Sequence, residues 1–188
     1  MTAAIEKEKF VYVLERKEDK LFIHSPREAH KSHSVCMDAV GLDTGSDNAV
    51  FACLEMDYGE REDKEATINT GKMRKVVAYY EMDFGMNTVI RKKELTVDPT
   101  AHMLVPVPAG AEGPGGLLVV LEDYLMYRHN QEEHLLRFPL RRARPPSRKT
   151  QFTCHTIYRF KGFFFLISSE LGDLYKVELS FKEHKNKK

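Results

Sequence analysis

VFACLEMDY (Val50–Tyr58) and VVAYYEMDFGMNTVIR (Val76–Arg91) are the two most informative segments of the chain. Each contains an apolar run followed by Glu-Met-Asp and an aromatic residue, first at Glu55–Tyr58 and then, 26 residues later, at Glu81–Phe84. Apolar and β-branched runs that end in alternation and a turn predict half-buried to fully buried strands. Because the two endings match, we expect two strands of one sheet. Neither segment contains a nucleophile–base pair.

Length and charge restrict the class of protein. The 188 residues are sufficient for one domain or a large part of one, with a sizeable core. The 29 basic and 28 acidic residues leave a net charge of +1, so the overall charge gives no case for nucleic-acid binding. No run of 18 apolar residues occurs, which argues against a membrane span, and the opening MTAAIEKEKF lacks the apolar core of a secretory signal.

The three cysteines, Cys36, Cys53 and Cys154, are an odd number and lie far apart, each in an apolar, strand-like run. This usage favours reduced thiols in the core of an intracellular protein. We therefore expect all three to react slowly with a water-soluble thiol reagent in the native state.

The rest of the chain repeats the pattern of short apolar runs separated by turns. Strand candidates such as Phe10–Arg16, Val35–Asp43 and Leu117–Leu121 alternate with polar or glycine-rich turns. No long segment has a convincing 3.6-residue period, and the best helical candidate is the short Asn130–Leu136. Four-stranded groups without crossover helices predict an all-β protein. The favoured architecture is a β-propeller with four-stranded antiparallel blades, and a β-sandwich is the alternative.

The strand groups divide the chain into about three to four blades of one propeller domain spanning 1–188. The expected divisions are a partial blade at 1–34 and further blades at 35–95, 101–138 and 150–181. The repeats lack the Trp-Asp ending of ordinary WD repeats, so they are WD-like at most. An incomplete arc of this kind leaves strand edges and apolar blade faces unpaired, which favours association.

Three local motifs are explained better by structure than by chemistry. His30, His33 and Cys36 have spacing that superficially resembles zinc ligation, but no second pair of donors completes a site. The acidic segment Glu55–Glu65 is interleaved with arginine and lysine, which favours a solvated insertion over an acid–base pair. The glycine-rich Ala109–Gly116 precedes a strand, so we expect a turn and no phosphate-binding loop.

One segment, Pro139–Lys149 (PLRRARPPSRK), carries a concentrated positive charge and no acidic residue. A basic loop on a propeller rim can contact RNA phosphates or an acidic protein surface. It contains no interleaved aromatic residues for base stacking, and a solvated connector explains it equally well. The candidate partner contacts, called the basic patch below, are Arg141, Arg142, Arg144, Arg148 and Lys149.

Several longer strings resemble consecutive segments of the splicing factor 3B subunit 3 family. They are VFACLEMDYGE, AYYEMDFGMNTVIRKKE, VPAGAEGPGGLLVV, FPLRRARP and FFFLISSELGDLYKVEL, and the opening AAIEKEKFVYVLER is similar as well. The resemblance spans nearly all of the chain in order, with only the acidic loop and the charged tail unplaced. The wider family includes a damaged-DNA-binding scaffold and the large subunit of the cleavage and polyadenylation specificity factor, which share the architecture.

The resemblance implies a protein with three propellers, of which this chain covers the middle and later blades of the first. It implies a nuclear, non-catalytic scaffold of the splicing factor 3b complex in the U2 small nuclear ribonucleoprotein (snRNP), supporting branch-site recognition in pre-mRNA splicing.

The partners implied are the other subunits of that complex, especially its HEAT-repeat subunit, with indirect association with U2 snRNA and pre-mRNA. The resemblance implies no cofactor, metal, catalytic residue, membrane or small-molecule substrate. The alternatives are a propeller scaffold of a related cleavage/polyadenylation or DNA-damage complex and, as a different class, an enzyme with a site in a propeller channel.

Overall fold

The structure is a computed structural model that describes residues 2–5, 8–29, 31, 33–57, 74–130, 132–139 and 149–181. Within these residues every regular element is a β-strand. The strands are β1 (Thr2–Ile5), β2 (Glu8–Val11), β3 (Leu14–Lys17), β4 (Lys20–Ile23), β5 (Arg27–Glu28), β6 (Ser34–Leu42), β7 (Ala49–Asp57), β8 (Arg74–Asp83), β9 (Thr88–Val97), β10 (Met103–Pro106), β11 (Leu117–Val120), β12 (Tyr124–His129), β13 (Glu132–Arg137), β14 (Phe152–Arg159), β15 (Phe163–Ser169) and β16 (Leu174–Val177).

The strands form five sheets, labelled A to E in chain order. Their strand orders are β1-β2-β5 (A), β3-β4 (B), β6-β7-β8-β9 (C), β10-β11-β12-β13 (D) and β14-β15-β16 (E). Neighbouring strands in sheets C and E pair antiparallel. The prediction of an all-β protein built from four-stranded antiparallel sheets is confirmed. No helix in the described ranges has the length and hydropathy needed to cross a lipid bilayer.

The chain divides into two compact units. The first unit comprises residues 1–42 and 46–104, and the second comprises residues 43–45 and 105–188. Sheets A, B and C belong to the first unit, whereas sheet E and most of sheet D belong to the second.

The core of the first unit is built around sheet C. Strand β7 buries four consecutive residues, so both of its faces are covered. Fully burying a large apolar side chain contributes about 1.5–3 kcal/mol. The cluster that packs sheet C against β2 and the segment after β5 consists of Val11, Ala29, Cys53, Ala78, Tyr80, Met82 and Val89.

The core of the second unit combines a buried aliphatic strand with an aromatic cluster. All four residues of β11 are buried. The Phe138 ring lies 4.1 Å from the Phe152 ring and 5.2 Å from the Tyr175 ring, measured between centroids. Aromatic pairs of this kind add about 0.5–1.5 kcal/mol beyond their area burial. Because Phe138 directly follows sheet D and the other two rings belong to sheet E, the cluster joins the two sheets.

A buried aspartate makes a second junction between sheets D and E. Asp123 is only 6% exposed. Its backbone N–H donates to the Thr150 carbonyl at 3.2 Å, and its Oδ1 accepts from the Thr150 N–H at 2.8 Å. The Phe138 N–H donates in turn to the Asp123 carbonyl at 2.9 Å. These bonds pair backbone groups that would be costly to bury unsatisfied.

The glycine-rich segment before β11 is a turn, as expected. Gly116 has a φ of 94°, and a Cβ built on it would lie 2.5 Å from the Arg128 carbonyl oxygen. At Gly113 a Cβ would lie 2.6 Å from the Pro108 carbonyl oxygen. Glycine is required at these positions because the backbone approaches too closely for a side chain.

One local strand prediction is wrong, and the short helical candidate is a strand. The helical candidate Asn130–Leu136 is a turn at Asn130 followed by strand β13, whose residues pair in register with β12. The predicted continuous strand Phe10–Arg16 is divided into β2 and β3, which belong to different sheets. In both cases pairing with neighbouring strands, which the local sequence does not encode, decides the outcome.

The cysteines occupy three different environments. Cys53 is 2% exposed and lies in the core as predicted, Cys36 is half-buried, and all three cysteines are free. Cys154 is exposed, so its predicted core position is wrong. Residues 153–156 of β14 are exposed on both faces, and a register shift between Phe152 and Cys154 places Cys154 opposite Ser168.

Candidate partner-binding surfaces

The predicted basic patch lies almost entirely outside the described residues. This applies to its four arginines, Arg141, Arg142, Arg144 and Arg148. Lys149 is described; its side chain is 60% exposed and its Nζ lies 3.1 Å from Glu122 Oε2. Exposed ion pairs contribute little to stability, so this pair does not prevent Lys149 from meeting a partner. The patch stays a prediction.

The zinc-like segment shows no metal site among the residues that can be assessed. His30 lies outside the described residues, and the described part of the chain contains no group of three or more His, Cys, Asp or Glu placed to hold a metal ion. Cys36 donates from Sγ to the Asp38 carbonyl at 3.4 Å.

The residue that sequence reasoning misplaced is Glu55. It was grouped with the solvated acidic segment, whereas it lies in β7 and is 0% exposed. Lys9 Nζ lies 2.5 Å from its Oε1, and the Tyr80 hydroxyl donates to the same oxygen at 2.6 Å. Arg91 Nη2 donates to Oε2 at 3.0 Å. We call these four residues the Glu55 cluster. Of the other acidic residues of the segment, Asp57 pairs with Lys31 Nζ at 3.1 Å, and those from residue 58 onward lie outside the described residues.

The electrostatics of the Glu55 cluster are those of a closed, structural site. Burial, and then the hydrogen bond to Glu55, raise the pKa of Tyr80 far above its ordinary value. Lys9 also donates to Ser34 Oγ at 2.7 Å, and Arg91 also pairs with Glu94 Oε2 at 2.8 Å. Both carboxylate oxygens of Glu55 are therefore engaged. The cluster joins sheet A to sheet C and leaves no oxygen facing a substrate.

The second Glu-Met-Asp motif has a different environment. Glu81 pairs with Lys92 Nζ at 2.9 Å and accepts a hydrogen bond from Asn48 at 2.9 Å. The hydrogen bond from Lys92, and then that from Asn48, lower the pKa of Glu81. Strands β7 and β8 are neighbours, as predicted, but they run antiparallel, with Glu55 opposite Val76 and Glu81 opposite Val50. The two matching motifs therefore lie at opposite ends of sheet C.

Sheet B exposes an apolar face in the first unit. Leu14 pairs with Ile23, and Arg16 pairs with Leu21, so these four side chains share one face of the hairpin. Leu14, Leu21 and Ile23 are 44%, 64% and 67% exposed. A two-stranded hairpin is only marginally stable alone, so this face is suited to burial against a further surface.

A groove of about 740 Å³ lies within the second unit. One face of sheet D lines it with Leu118, Leu125 and Leu136, and the segment after β16 contributes Leu179 and Phe181. The volume and the mainly aliphatic lining match those of cavities that bind apolar groups. Its polar lining consists of Tyr127, His129, Glu132, His134, Glu178 and Ser180.

Successive antiparallel sheets of up to four strands, with short turns, define a module of the β-propeller class. A family model described as the RSE1/DDB1/CPSF1 first beta-propeller matches residues 1–188. The chain belongs to this family.

Named relatives support the same assignment. The chain is 42% identical over 188 residues to the pre-mRNA-splicing factor rse1 of Emericella nidulans. The matched region covers 97% of the chain and 16% of that protein. The chain is 38% identical over 185 residues to splicing factor 3B subunit 3 of Drosophila melanogaster (95% of the chain, 15% of that protein). It is 42% identical over 183 residues to spliceosome-associated protein 130 A of Arabidopsis thaliana (95% and 15%).

These matches confirm the resemblance to splicing factor 3B subunit 3 seen in the sequence strings. The chain spans only 15–16% of the length of these relatives. The matched region is the first propeller of the family.

Proposed function

We propose that the chain is part of a non-catalytic scaffold that acts in pre-mRNA splicing through protein–protein contacts. The observation that carries this proposal is the 38–42% identity, over 95–97% of the chain, to proteins named as splicing factors.

The physical character of the described residues supports a scaffold. The most deeply buried charged residue, Glu55, is committed to Lys9, Tyr80 and Arg91. The groove in the second unit is lined in large part by apolar side chains, and the face of sheet B that carries Leu14, Leu21 and Ile23 is exposed. Apolar patches on folded proteins typically mark surfaces that other macromolecules cover.

The proposal extends to location and partners. The scaffold is nuclear and belongs to the splicing factor 3b complex of the U2 snRNP, where it supports branch-site recognition. Its partners are the other subunits of that complex, above all the HEAT-repeat subunit, and its association with U2 snRNA and pre-mRNA is indirect. We further propose that the blades divide at 1–34, 35–95, 101–138 and 150–181, with sheets C, D and E as the last three.

Affinity purification of the tagged endogenous protein that contains this chain tests the proposal. We expect mass spectrometry of the nuclear eluate to show the splicing factor 3b subunits, and RNA quantification to show enrichment of U2 snRNA. Recovery with cleavage/polyadenylation or DNA-damage factors would instead support a scaffold of a related complex. An eluate free of all three groups of proteins would contradict a scaffold role.

The basic patch is proposed as a partner contact, and a charge reversal tests it. The test variant changes three residues to glutamate: Arg141, Arg142 and Arg144. The matched control makes the same change at three exposed residues of sheet C: Arg74, Lys92 and Lys93. If the patch meets an acidic surface or an RNA backbone, the test variant binds the reconstituted complex more weakly and with a flatter salt dependence.

The melting temperature provides the second measurement for this pair of variants. Exposed charges contribute little to folding, so the test variant should melt with the unmodified protein. Unchanged affinity would identify the segment as a solvated connector, and a large fall in melting temperature would mean that the arginines are paired within the fold.

A further inference from the structure

Two of the three cysteines lie side by side on neighbouring strands of sheet C. Cys36 on β6 pairs with Glu55 on β7, and Cys53 on β7 pairs with Ala39 on β6. Residues two apart on a strand project from the same face, so Cys53 and Glu55 share a face. Cys36, opposite Glu55, is therefore the diagonal neighbour of Cys53 on the same face of the sheet.

The two thiols share one packed cluster. Cys36 packs against the buried core cluster that contains Cys53. Converting such a pair into a disulfide requires the sulfurs to close to about 2.05 Å. The pairing of β6 with β7 shifts register between Cys36 and Asp38, and bulged backbone of this kind leaves a residue outside the ladder. This irregularity lies directly beside the thiol that must move.

The two thiols differ in access and in acidity. Cys36 is half-buried, whereas Cys53 is 2% exposed. The hydrogen bond from Cys53 lowers the pKa of Cys36; burial and the nearby carboxylates of Glu55 and Asp38 oppose this effect, and the Lys9 ammonium assists it. The same hydrogen bond, together with burial, raises the pKa of Cys53. An accessible thiol of lowered pKa beside a second thiol is the arrangement typical of redox-sensitive cysteines.

We propose that Cys36 and Cys53 form a reversible dithiol–disulfide pair that responds to hydroperoxides. The Cys36 thiolate attacks the peroxide O–O bond and becomes a sulfenic acid, and the peroxide leaves as an alcohol or as water. The Cys53 sulfur then attacks the Cys36 sulfur, and the expelled hydroxide leaves as water with the Cys53 proton. Two thiols are thereby oxidised and one hydroperoxide is reduced, and a dithiol reductant reverses the change.

Cys154 provides an internal control. It is exposed, so a reagent reaches it, but it lies on sheet E without either of these cysteines beside it in the strand pairing. Comparing Cys154 with the other two cysteines therefore separates the effect of exposure from the effect of pairing within one molecule. Cys154 should be modified by a thiol reagent and should contribute nothing to disulfide formation.

The experiment treats the folded full chain with a small excess of hydrogen peroxide and maps the peptides by mass spectrometry. We expect a species lighter by two hydrogens in which the Cys36 and Cys53 peptides are cross-linked, and dithiothreitol should restore both to labelling by iodoacetamide. Cys36→Ser and Cys53→Ser should each abolish the cross-link, whereas Cys154→Ser should leave it intact. Melting curves of the variants establish that each is folded.

Three results would overturn the proposal. Peroxide could carry Cys36 to a sulfinic acid without a cross-link, the folded protein could remain unreacted at Cys36 while Cys154 is oxidised, or the cross-link could be lost in Cys154→Ser. Cys36→Ala is a second variant for the case in which Cys36→Ser melts early. Persistence of the cross-linked mass in that variant would also refute the assignment.

Discussion

Replacing Glu55 by glutamine tests whether the Glu55 cluster holds the first unit together. Glutamine keeps the size of the side chain and removes its charge. The Lys9 ammonium, 2.5 Å from the carboxylate and with a side chain only 3% exposed, would then remain buried without a counter-ion. Arg91 would lose less, because Glu94 is a second partner at 2.8 Å.

The expected magnitude follows from these contacts. Removing one partner of a buried ion pair costs about 3–5 kcal/mol, because it leaves an uncompensated charge. The glutamine oxygen can still accept the Tyr80 hydrogen bond and Arg91 keeps Glu94, so we expect a loss near the lower end, about 3 kcal/mol. For a chain of this size that corresponds to a fall in melting temperature of roughly 6–12 °C.

Urea unfolding measures the loss in free energy of unfolding. Tyrosine fluorescence is a clear signal for it, because the chain contains no tryptophan. Glu81→Gln is the matched control, because the same residue type in the same local motif pairs there with an exposed lysine. The double variant Lys9→Met, Glu55→Gln should recover much of the loss, since it removes the orphaned charge. A Glu55→Gln protein as stable as the Glu81→Gln control would refute the reasoning.

Three further predictions rest on single sites. The raised pKa of Tyr80 should keep it protonated while other tyrosines titrate, so Tyr80→Phe should not change the amplitude of the native alkaline titration at 295 nm, and a smaller amplitude would contradict the raised pKa. For the same reason the contribution of Tyr80 to stability is full below about pH 10 and declines as the pH rises further. Gly116→Ala should lower the free energy of unfolding by about 1–3 kcal/mol in a urea titration, because the φ of Gly116 is positive and the new Cβ would meet a carbonyl oxygen. Gly41→Ala is the control, because nothing lies within 4 Å of a Cβ built there. In a native thiol-labelling time course, Cys154 should react much faster than Cys53, and equal rates would argue against the described exposures.

The fold could be predicted from the sequence because its signals are local. Apolar runs such as Leu117–Leu121, punctuated by glycine-rich and charged turns, indicate strands without any knowledge of their partners. The pairing of β7 with β8 followed from the matching composition of their segments. Even so, the apolar pattern does not show which strands are covered: residues 153–156 of β14 are exposed, including Cys154, which was expected in the core.

The Glu55 cluster could not be predicted, because its members are distant in sequence. Lys9 lies 46 residues before Glu55, and Arg91 lies 36 residues after it. Locally, Glu55 precedes a run of charged residues, which favours a solvated position over a buried one. The same tripeptide at Glu81 is half-exposed and paired at the surface. Burial of a charge depends on its partners, and those partners are fixed by the sheet packing alone.

The junctions between sheets D and E have a consequence for how residues 140–148 evolve and how they can be engineered. Phe138 against Phe152, and Asp123 bonded to Thr150, fasten the two sheets immediately before and after that segment. These contacts therefore hold the two sheets together independently of the covalent connection through residues 140–148. Insertion of a tag or a protease site there, or a change in length between homologous chains, need not disturb the sheets.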